Sequence, residues 1–305
     1  MLKASIVIPV YNEAKDLEIN LNVLRSQTYP QELFEIIVVD NGSTDNTEEL
    51  VKRYEGVKYI LQDEYLNSSY SSRNRGIEQA RGEVVVLLDG TVIPKKKWLE
   101  AGLDCMETQD ADIVTSNVRF DFDGKVTAGK LYDTNNATME RQVKNRGVAV
   151  TASLFVRKKL FDELGVFREG AVTAEDILWT WNATRNGYKL VFCDQSRASK
   201  KAKPFSKLLK KQWREAKGYP VIWDKQGRRI RIYKKFLRSL LPPPPGKVDT
   251  LLQNTDIRVN TYQKVKLYFA TWLILIVMST GHIYGTHLLD KEKSGAEKDV
   301  VIVEQ

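Results

Sequence analysis

Ala4-Ser-Ile-Val-Ile-Pro-Val-Tyr-Asn-Glu13 and Ile36-Ile-Val-Val-Asp40-Asn-Gly-Ser-Thr-Asp45 are two short apolar runs, each closed by polar, turn-forming residues. Runs this rich in Ile and Val suit strands covered on both faces, as in a parallel sheet. In open α/β sheets the ligand crevice lies just beyond the carboxyl ends of such strands. The sequence therefore marks where a ligand sits and which groups meet it.

Working outward, the pattern predicts strand 4–10, helix 13–27, strand 34–39, helix 45–54, strand 57–61, helix 69–81, strand 83–88, helix 95–107 and strand 112–117. That alternation predicts a mostly parallel central sheet flanked by helices. Ser43 to Asn46 offers N-caps for the helix read over 45–54, and Gly82 stops the helix ending at Arg81. Residues 118–146 read as loop with short strands, 148–156 as a strand and 175–186 as a short helix.

The chain has 305 residues and a formal net charge of +8, unevenly spread. Residues 1–194 carry 24 Lys and Arg against 30 Asp and Glu, whereas residues 195–266 carry 20 against 4. A faintly acidic domain is followed by a basic arm, which suggests an anionic partner. Residues 200–241 mix cations with Phe, Leu, Trp and Tyr, the composition of amphipathic surface helices, and Pro242 to Pro245 form a stiff break. From Leu267 to Leu289 no Asp, Glu, Lys or Arg occurs. About 20 apolar residues cross a bilayer, so 267–289 is read as a membrane-associated helix, a transmembrane helix before one lying flat. Thr271, Ser279, Thr280, His282, Thr286 and His287 weaken it and leave lying in the interface open beside spanning. Lys264 and Lys266 precede it, which puts the basic side in the cytoplasm. The expected domains are 1–199, catalytic; 200–246, basic arm and Pro-rich break; and 247–305, linker, apolar helix and polar tail.

The two cysteines, Cys105 and Cys193, form no Cys-x-x-Cys pair, which argues against a disulfide framework or zinc site and suits a reducing compartment. No secretory leader is read, so the sequons at Asn41, Asn67 and Asn136 are expected to stay unmodified. No Gly-x-Gly-x-x-Gly follows the first strand and no P-loop motif occurs, which weakens dinucleotide and P-loop readings.

The crevice residues are Asn12 and Glu13 after the first strand, Asp40 ending the second, Arg73 and Arg75 in Ser68-Ser-Tyr-Ser-Ser-Arg-Asn-Arg-Gly76, and Asp89 after Val84-Val-Val-Leu-Leu88. Carboxylates suit base and sugar edges, and arginine suits a diphosphate. Strand-end capping is the plainer reading of Asp40 and Asp89, and surface pairing that of Arg75.

Together these pieces resemble a family 2 glycosyltransferase of the GT-A fold. The resemblance covers residues 4–195 and includes Ser72-Arg73-Asn74-Arg-Gly76, Gly82 to Asp89 and Ala174-Glu175-Asp176. It implies transfer of a sugar from a UDP- or GDP-sugar to an acceptor hydroxyl with inversion. It would place Pro9, Tyr11 and Glu13 at the nucleoside, Asp40 at the base and Arg73 near the diphosphate. Asp89 would be the first carboxylate of the metal-binding Asp-x-Asp, and Asp176, in the pair Glu175-Asp176, the general base. Trp179 and Trp181 read as core or acceptor wall, and Gln212-Trp213-Arg214 loosely echoes an acceptor-side motif.

Two departures touch the metal. The Asp-x-Asp position reads Asp89-Gly90-Thr91, and Asp194 to Lys201 contains no His. Three explanations follow: Lys200, Lys201 or Arg73 replaces the cation; a weak Mg or Mn site survives on Asp89 and the donor phosphates; or the protein binds without catalysing. The expected partners are a nucleotide-sugar donor, a lipid or glycan acceptor and an anionic membrane surface. The alternative is an inactive glycosyltransferase-like binding or scaffold protein. Nucleic-acid binding through the basic arm fits less well, because an apolar segment follows the arm.

Overall fold

The computed structural model describes residues 2–66, 68–122, 124–134, 139–171, 173–225, 227, 231–252 and 258–294. The sequons at Asn67 and Asn136 lie outside the described residues, while Asn41 is buried.

In chain order the elements are β1 (Ala4–Val10), α1 (Ala14–Arg25), β2 (Phe34–Asp40), α2 (Thr47–Lys52), β3 (Val57–Leu61), α3 (Ser69–Gln79), β4 (Val84–Leu88), β5 (Val92–Pro94), α4 (Trp98–Thr108) and β6 (Ile113–Asp121). There follow α5 (Ala128–Asp133), α6 (Met139–Arg146), β7 (Ser153–Arg157), α7 (Lys159–Leu164), α8 (Glu175–Arg185), β8 (Leu190–Lys201), α9 (Phe205–Lys225), α10 (Ile232–Ser239), α11 (Gly246–Leu252) and α12 (Thr261–Lys293). The sheet order is β3-β2-β1-β4-β7-β6-β8-β5. β1 pairs in parallel with β2, from Ala4↔Phe34 to Val10↔Asp40, and with β4, from Ala4↔Val84 to Val7↔Leu87. β2 also pairs in parallel with β3. Beyond β4 the pairing turns antiparallel, β4 with β7, β7 with β6 and β5 with β8.

The apolar runs are continuous because both faces of the sheet are covered. On one side Ile6, Ile8, Val38, Val86 and Leu88 pack with Leu17, Leu21 and Leu24 of α1 and Leu99 and Leu103 of α4. On the other, Val7, Ile37, Val39, Val85 and Leu87 pack with Tyr70 and Ile77 of α3 and with Phe161, Phe167 and Trp179. Each such aliphatic side chain contributes about 1.5–3 kcal/mol by leaving water. α3 approaches the sheet so closely that a Cβ at Gly76 would lie 2.2 Å from Val7 Cγ1. That contact fixes the height of the helix carrying Arg73.

The structure corrects the sequence reading in three places. Residues 118–146 are not loop with short strands: β6 continues to Asp121, and α5 and α6 follow. β5, α7 and β8 were not foreseen. Cys105 of α4 and Cys193 of β8 form a disulfide across 88 residues, although their spacing suggested none. The pairing brings together two cysteines far apart in sequence, a relation that spacing motifs do not encode.

The described residues fall into two compact units. The first takes in Met1–Arg119, Met139–Ala171 and Glu175–Lys200; the second Phe120–Thr138, Val172–Ala174 and Lys201–Gln305. In the second, α12 runs beside α9, α10, α11 and α5. A Cβ at Gly281 would stand 2.7 Å from Ala216 Cβ, and one at Gly285 only 2.1 Å from the Lys217 carbonyl. Small residues on α12 thus admit the backbone of α9.

Candidate active site

The crevice opens where the order of strands reverses, between β1 and β4. The β1–β4 ladder stops at Val7↔Leu87, whereas the β1–β2 ladder runs on to Asp40. Pro9, buried and without an N–H, sits just past the end of the β4 side, where the missing donor costs no ladder bond.

The loops after β1 and β2 are laced together. Asn12 has φ of 53°, a left-handed conformation that Asn tolerates. Its Oδ1 accepts from Thr44 N at 2.7 Å and Asp45 N at 3.3 Å, and its own N–H reaches Ser43 Oγ at 2.9 Å. Asp45 serves two helix starts: its Oδ1 accepts from Thr47 N at 3.2 Å, and its Oδ2 from Ala14 N at 3.1 Å, fixing the start of α1. Asp40 is 2% exposed. Its Oδ1 accepts from Ser43 N at 2.8 Å and its Oδ2 from the Tyr59 hydroxyl at 3.0 Å. Burial, with the Asp40 carboxylate alongside, pushes the Tyr59 phenol upward, so this hydroxyl remains a donor. Tyr11 is exposed at the same rim, and Glu13 is half-buried. A Cβ at Gly90 would lie 3.0 Å from Glu13 Oε2, which places that carboxylate against the Asp89–Thr91 turn.

The second half of the crevice is a relay centred on α3. Arg73, 4% exposed, donates from Nη2 to Asp89 Oδ1 at 2.7 Å and from Nη1 to the Ser69 carbonyl at 3.0 Å and Ser69 Oγ at 2.9 Å. Its Nε is buried without a hydrogen-bond partner. Its guanidinium carbon stands 5.3 Å from the centre of the Tyr70 ring. The Tyr70 hydroxyl donates to Asp176 Oδ1 at 3.0 Å. Asp176 also accepts from Ile177 N at 2.9 Å and, through Oδ2, from Thr151 N at 3.2 Å and Thr151 Oγ1 at 3.4 Å. Burial raises its carboxyl above the ordinary range; Arg73 and these hydrogen bonds oppose the shift without cancelling it. Burial and the adjacent Asp176 carboxylate hold the Tyr70 phenol well above its usual value. One helix therefore connects Asp89 with Asp176, one hundred and six residues from Tyr70.

Glu175 is buried beside Asp176. Its Oε1 lies 3.4 Å from Arg168 Nε, an ion pair without hydrogen-bond geometry. Ala174, just before the pair, has φ of 71°, a left-handed conformation uncommon for alanine.

Several residues that hold this arrangement escaped the sequence reading. Asn74 donates to the Phe167 carbonyl and to Glu169 Oε1, both at 2.7 Å, and accepts from Phe167 N at 3.1 Å. Ser68 Oγ reaches the Ala171 carbonyl at 2.6 Å, and Gly170 N reaches Ser71 Oγ at 2.9 Å. The polar start of α3 thereby holds segment 167–171, which leads toward Glu175. Asn20, fully buried on α1, donates to the Val92 carbonyl at 2.9 Å and steadies the turn after Asp89. The available signal was a run of Ser and Asn in a helix that had to be buried. Arg75 pairs at the surface with Gln62 and Glu64. Trp179 is core, packed on Phe161 with ring centres 4.9 Å apart. Trp181 carries Arg185 over its ring.

A divalent cation here would meet the Asp89–Thr91 turn. Thr91 offers a neutral oxygen where such ions favour carboxylates, and Asp89 Oδ1 already meets Arg73. Among the described residues no group of three His, Cys, Asp or Glu is placed to hold a metal. Asp89 and Thr91 by themselves are a thin donor set for a resident cation. The β5–β8 register instead sets Lys200 across from Val92, one residue past Thr91.

The family model described as Glycosyl transferase family 2 matches residues 5–165. The glycosyltransferase AglE of Haloferax volcanii is 35% identical over 290 residues, covering 92% of this chain and 94% of that protein. Among solved structures, the mannosyltransferase PcManGT from Pyrobaculum calidifontis, in complex with GDP-Man and Mn2+, aligns over 97% of this chain and 76% of its own, with TM-score 0.60 and 17% identity. Residues 1–349 of TarS from S. aureus, in complex with UDP-GlcNAc, align over 96% and 92%, with TM-score 0.55 and 18% identity.

Proposed function

The chain belongs to glycosyl transferase family 2 and is a glycosyltransferase of the GT-A fold; from that premise we propose that it moves a hexosyl group from a UDP- or GDP-sugar to an acceptor hydroxyl, with inversion at the anomeric carbon. The observation that carries the proposal is the relay Asp89–Arg73–Tyr70–Asp176. It joins a group suited to the donor diphosphate to a carboxylate suited to proton abstraction.

In this reading Pro9, Tyr11 and Glu13 border the nucleoside and Asp40 accepts from the base. Arg73 faces the diphosphate with two nitrogens engaged and Nε unpartnered. A buried donor without an acceptor costs about 1–3 kcal/mol, and an incoming phosphate oxygen removes that cost. The acceptor oxygen attacks the anomeric carbon from the face opposite the diphosphate, forming a new C–O bond. The bond to the diphosphate oxygen breaks, its electron pair leaves with the nucleoside diphosphate, and Asp176 takes the acceptor's proton. A carboxyl raised by burial is the better base for that step. Lys200 and Arg73 supply positive charge to the departing diphosphate.

The setting proposed is the cytoplasmic face of a membrane, with a lipid or glycan acceptor. Supporting it are α12, which over Thr261–Lys291 is long and apolar enough to cross a bilayer by length and composition, and the basic segment 195–266.

The test is a transfer assay over a panel of UDP- and GDP-sugars, comparing wild type with Asp176→Asn. Loss of about a hundredfold or more in rate, with donor affinity kept, is the expected result. Equal rates would remove Asp176 as base. A second reading, a donor-binding protein without turnover, is favoured by the single carboxylate of Asp89-Gly90-Thr91. It predicts donor binding and no transfer by wild type in the same assay.

A further inference from the structure

The second unit carries an apolar face that its described residues leave exposed. Tyr233, Leu237, Leu240 and Leu241 recur at helical spacing along α10 and just past its end, and all are exposed, Leu237 by 64%. On α12, Phe269 is exposed by 57% and Leu273 by 43%. The two stretches adjoin. Trp272 Nε1 donates to the Ser239 carbonyl at 3.0 Å, and the Tyr268 hydroxyl to the Pro243 carbonyl at 2.8 Å. Leu240 and Leu241 follow directly on Ser239, and Leu273 on Trp272. Exposed cations flank the apolar residues: Lys234, Lys235 and Arg238 on α10, and Lys264 and Lys266 at the start of α12. Contiguous exposed apolar surface rimmed by charge marks an interaction site rather than ordinary surface.

We propose that α10 and the adjoining face of α12 form a membrane-docking surface that lies in the interfacial plane of an anionic bilayer, with α12 along the surface rather than through it.

This rests on the membrane setting proposed above and deepens it by naming the face and its orientation. The opposite side of α12 is already occupied. Gly281 and Gly285 meet α9, Trp213 stacks near Tyr284 at 6.0 Å, and Thr271, Ser279 and His282 are buried. α10 lies against the middle of α12. Lys235 Nζ stands 4.9 Å over the Trp223 ring, and that ring is 4.8 Å from His282. Were α12 to span the bilayer, Lys234, Lys235 and Arg238 would be carried to hydrocarbon depth, where charged side chains are costly. Lying flat, the same helices put Leu, Phe and Tyr into the acyl boundary and hold the cations at headgroup level, as amphipathic interfacial helices do. Cation density selects this occupant over a second copy of the chain, since two such faces would repel. It also favours anionic over neutral lipid.

The experiment is flotation of the full-length chain with vesicles of phosphatidylcholine alone or with phosphatidylglycerol. Variants Leu237→Glu and Phe269→Glu and the charge variant Lys234→Glu/Arg238→Glu are run alongside. Wild type is expected to float at least tenfold more on the phosphatidylglycerol vesicles and to be stripped by alkaline carbonate. Each variant is expected to lose at least tenfold of that partition while binding UDP or GDP with wild-type affinity by calorimetry. Retention after carbonate would mean a spanning α12 and overturn the orientation. Equal flotation on both vesicles, variants that float like wild type, or dimers abolished by Leu237→Glu in a chain that does not float would overturn the surface itself. A chain that floats as expected and binds no nucleotide would count against the donor site and leave this face standing.

Discussion

Arg73 Nη2 stands 2.7 Å from Asp89 Oδ1, and the same guanidinium reaches Ser69 through its other terminal nitrogen. A planar fork makes both bonds at once; an ammonium on a flexible stem does not. Arg73→Lys is therefore not conservative here. Donor affinity is expected to fall about tenfold, or about 1.4 kcal/mol, because Asp89 is left to face the diphosphate with poorer neutralisation. Calorimetric titration with UDP and GDP checks this, and unchanged affinity would place Arg73 in a purely structural role.

Asp176 gives a pH prediction with a definite sign. Burial raises its carboxyl above the ordinary value of 3.8 in the folded chain. Between the two values the native state holds a proton that the unfolded chain has released, so this group's contribution to stability falls as pH rises through that window. The rate runs the other way, rising with pH as the carboxylate forms. The Tyr70 hydroxyl stabilises that carboxylate. Tyr70→Phe is expected to move the acid limb of kcat/KM to higher pH, and Asp176→Asn to abolish the limb. A limb that stays put in Tyr70→Phe would separate the phenol from the base.

Metal removal offers a third check. With Asp89 on Arg73 and Thr91 beside it, transfer is expected to retain most of its rate in EDTA. Lys200→Ala is then expected to reduce kcat by about tenfold or more, as loss of one electrostatic contact to a leaving group does. Strict dependence on added Mg or Mn would restore the weak cation site on Asp89 and the donor phosphates.

The parts legible in the sequence were those fixed by local pattern. Runs such as Val84 to Leu88 read as strands because both faces are buried, and Asp40 and Asp89 follow from where such strands end. β8 escaped because Leu190 to Lys201 mixes exposed and buried positions with no continuous apolar run. Tyr70 escaped because its partner, Asp176, is distant in the chain and only the folded sheet brings them within 3.0 Å. Nothing local marks Asn74 and Ser68 as contact residues; their role in holding Phe167 and Ala171 is tertiary. The cysteine pair illustrates the same limit.

That pair, Cys105–Cys193, closes a loop across 88 residues between α4 and β8. Chain-entropy reasoning assigns such a loop about 4–5 kcal/mol, an upper figure for a native crosslink. Reduction is expected to shift the urea midpoint downward without changing the donor-binding residues. Coincident midpoints, with two free thiols titrated in the reduced sample, would show that the bridge contributes nothing.

Gly218 of α9 has no room for a side chain: a Cβ there would lie 2.2 Å from Thr173 Cγ2, while the next atoms of Thr173 stand at 3.5 Å. The glycine is set by that methyl group alone, not by backbone conformation. Gly218→Ala is expected to cost about 1–3 kcal/mol, the usual range for overpacking. It should also lower transfer, since Thr173 and the strained Ala174 lead directly into Glu175 and Asp176. Thr173→Ser removes the offending methyl, so the double variant should recover most of both losses, a non-additive result in a double-mutant cycle. Urea unfolding and initial rates on all four proteins measure it. Additive losses would mean that α9 is held off by something other than Thr173.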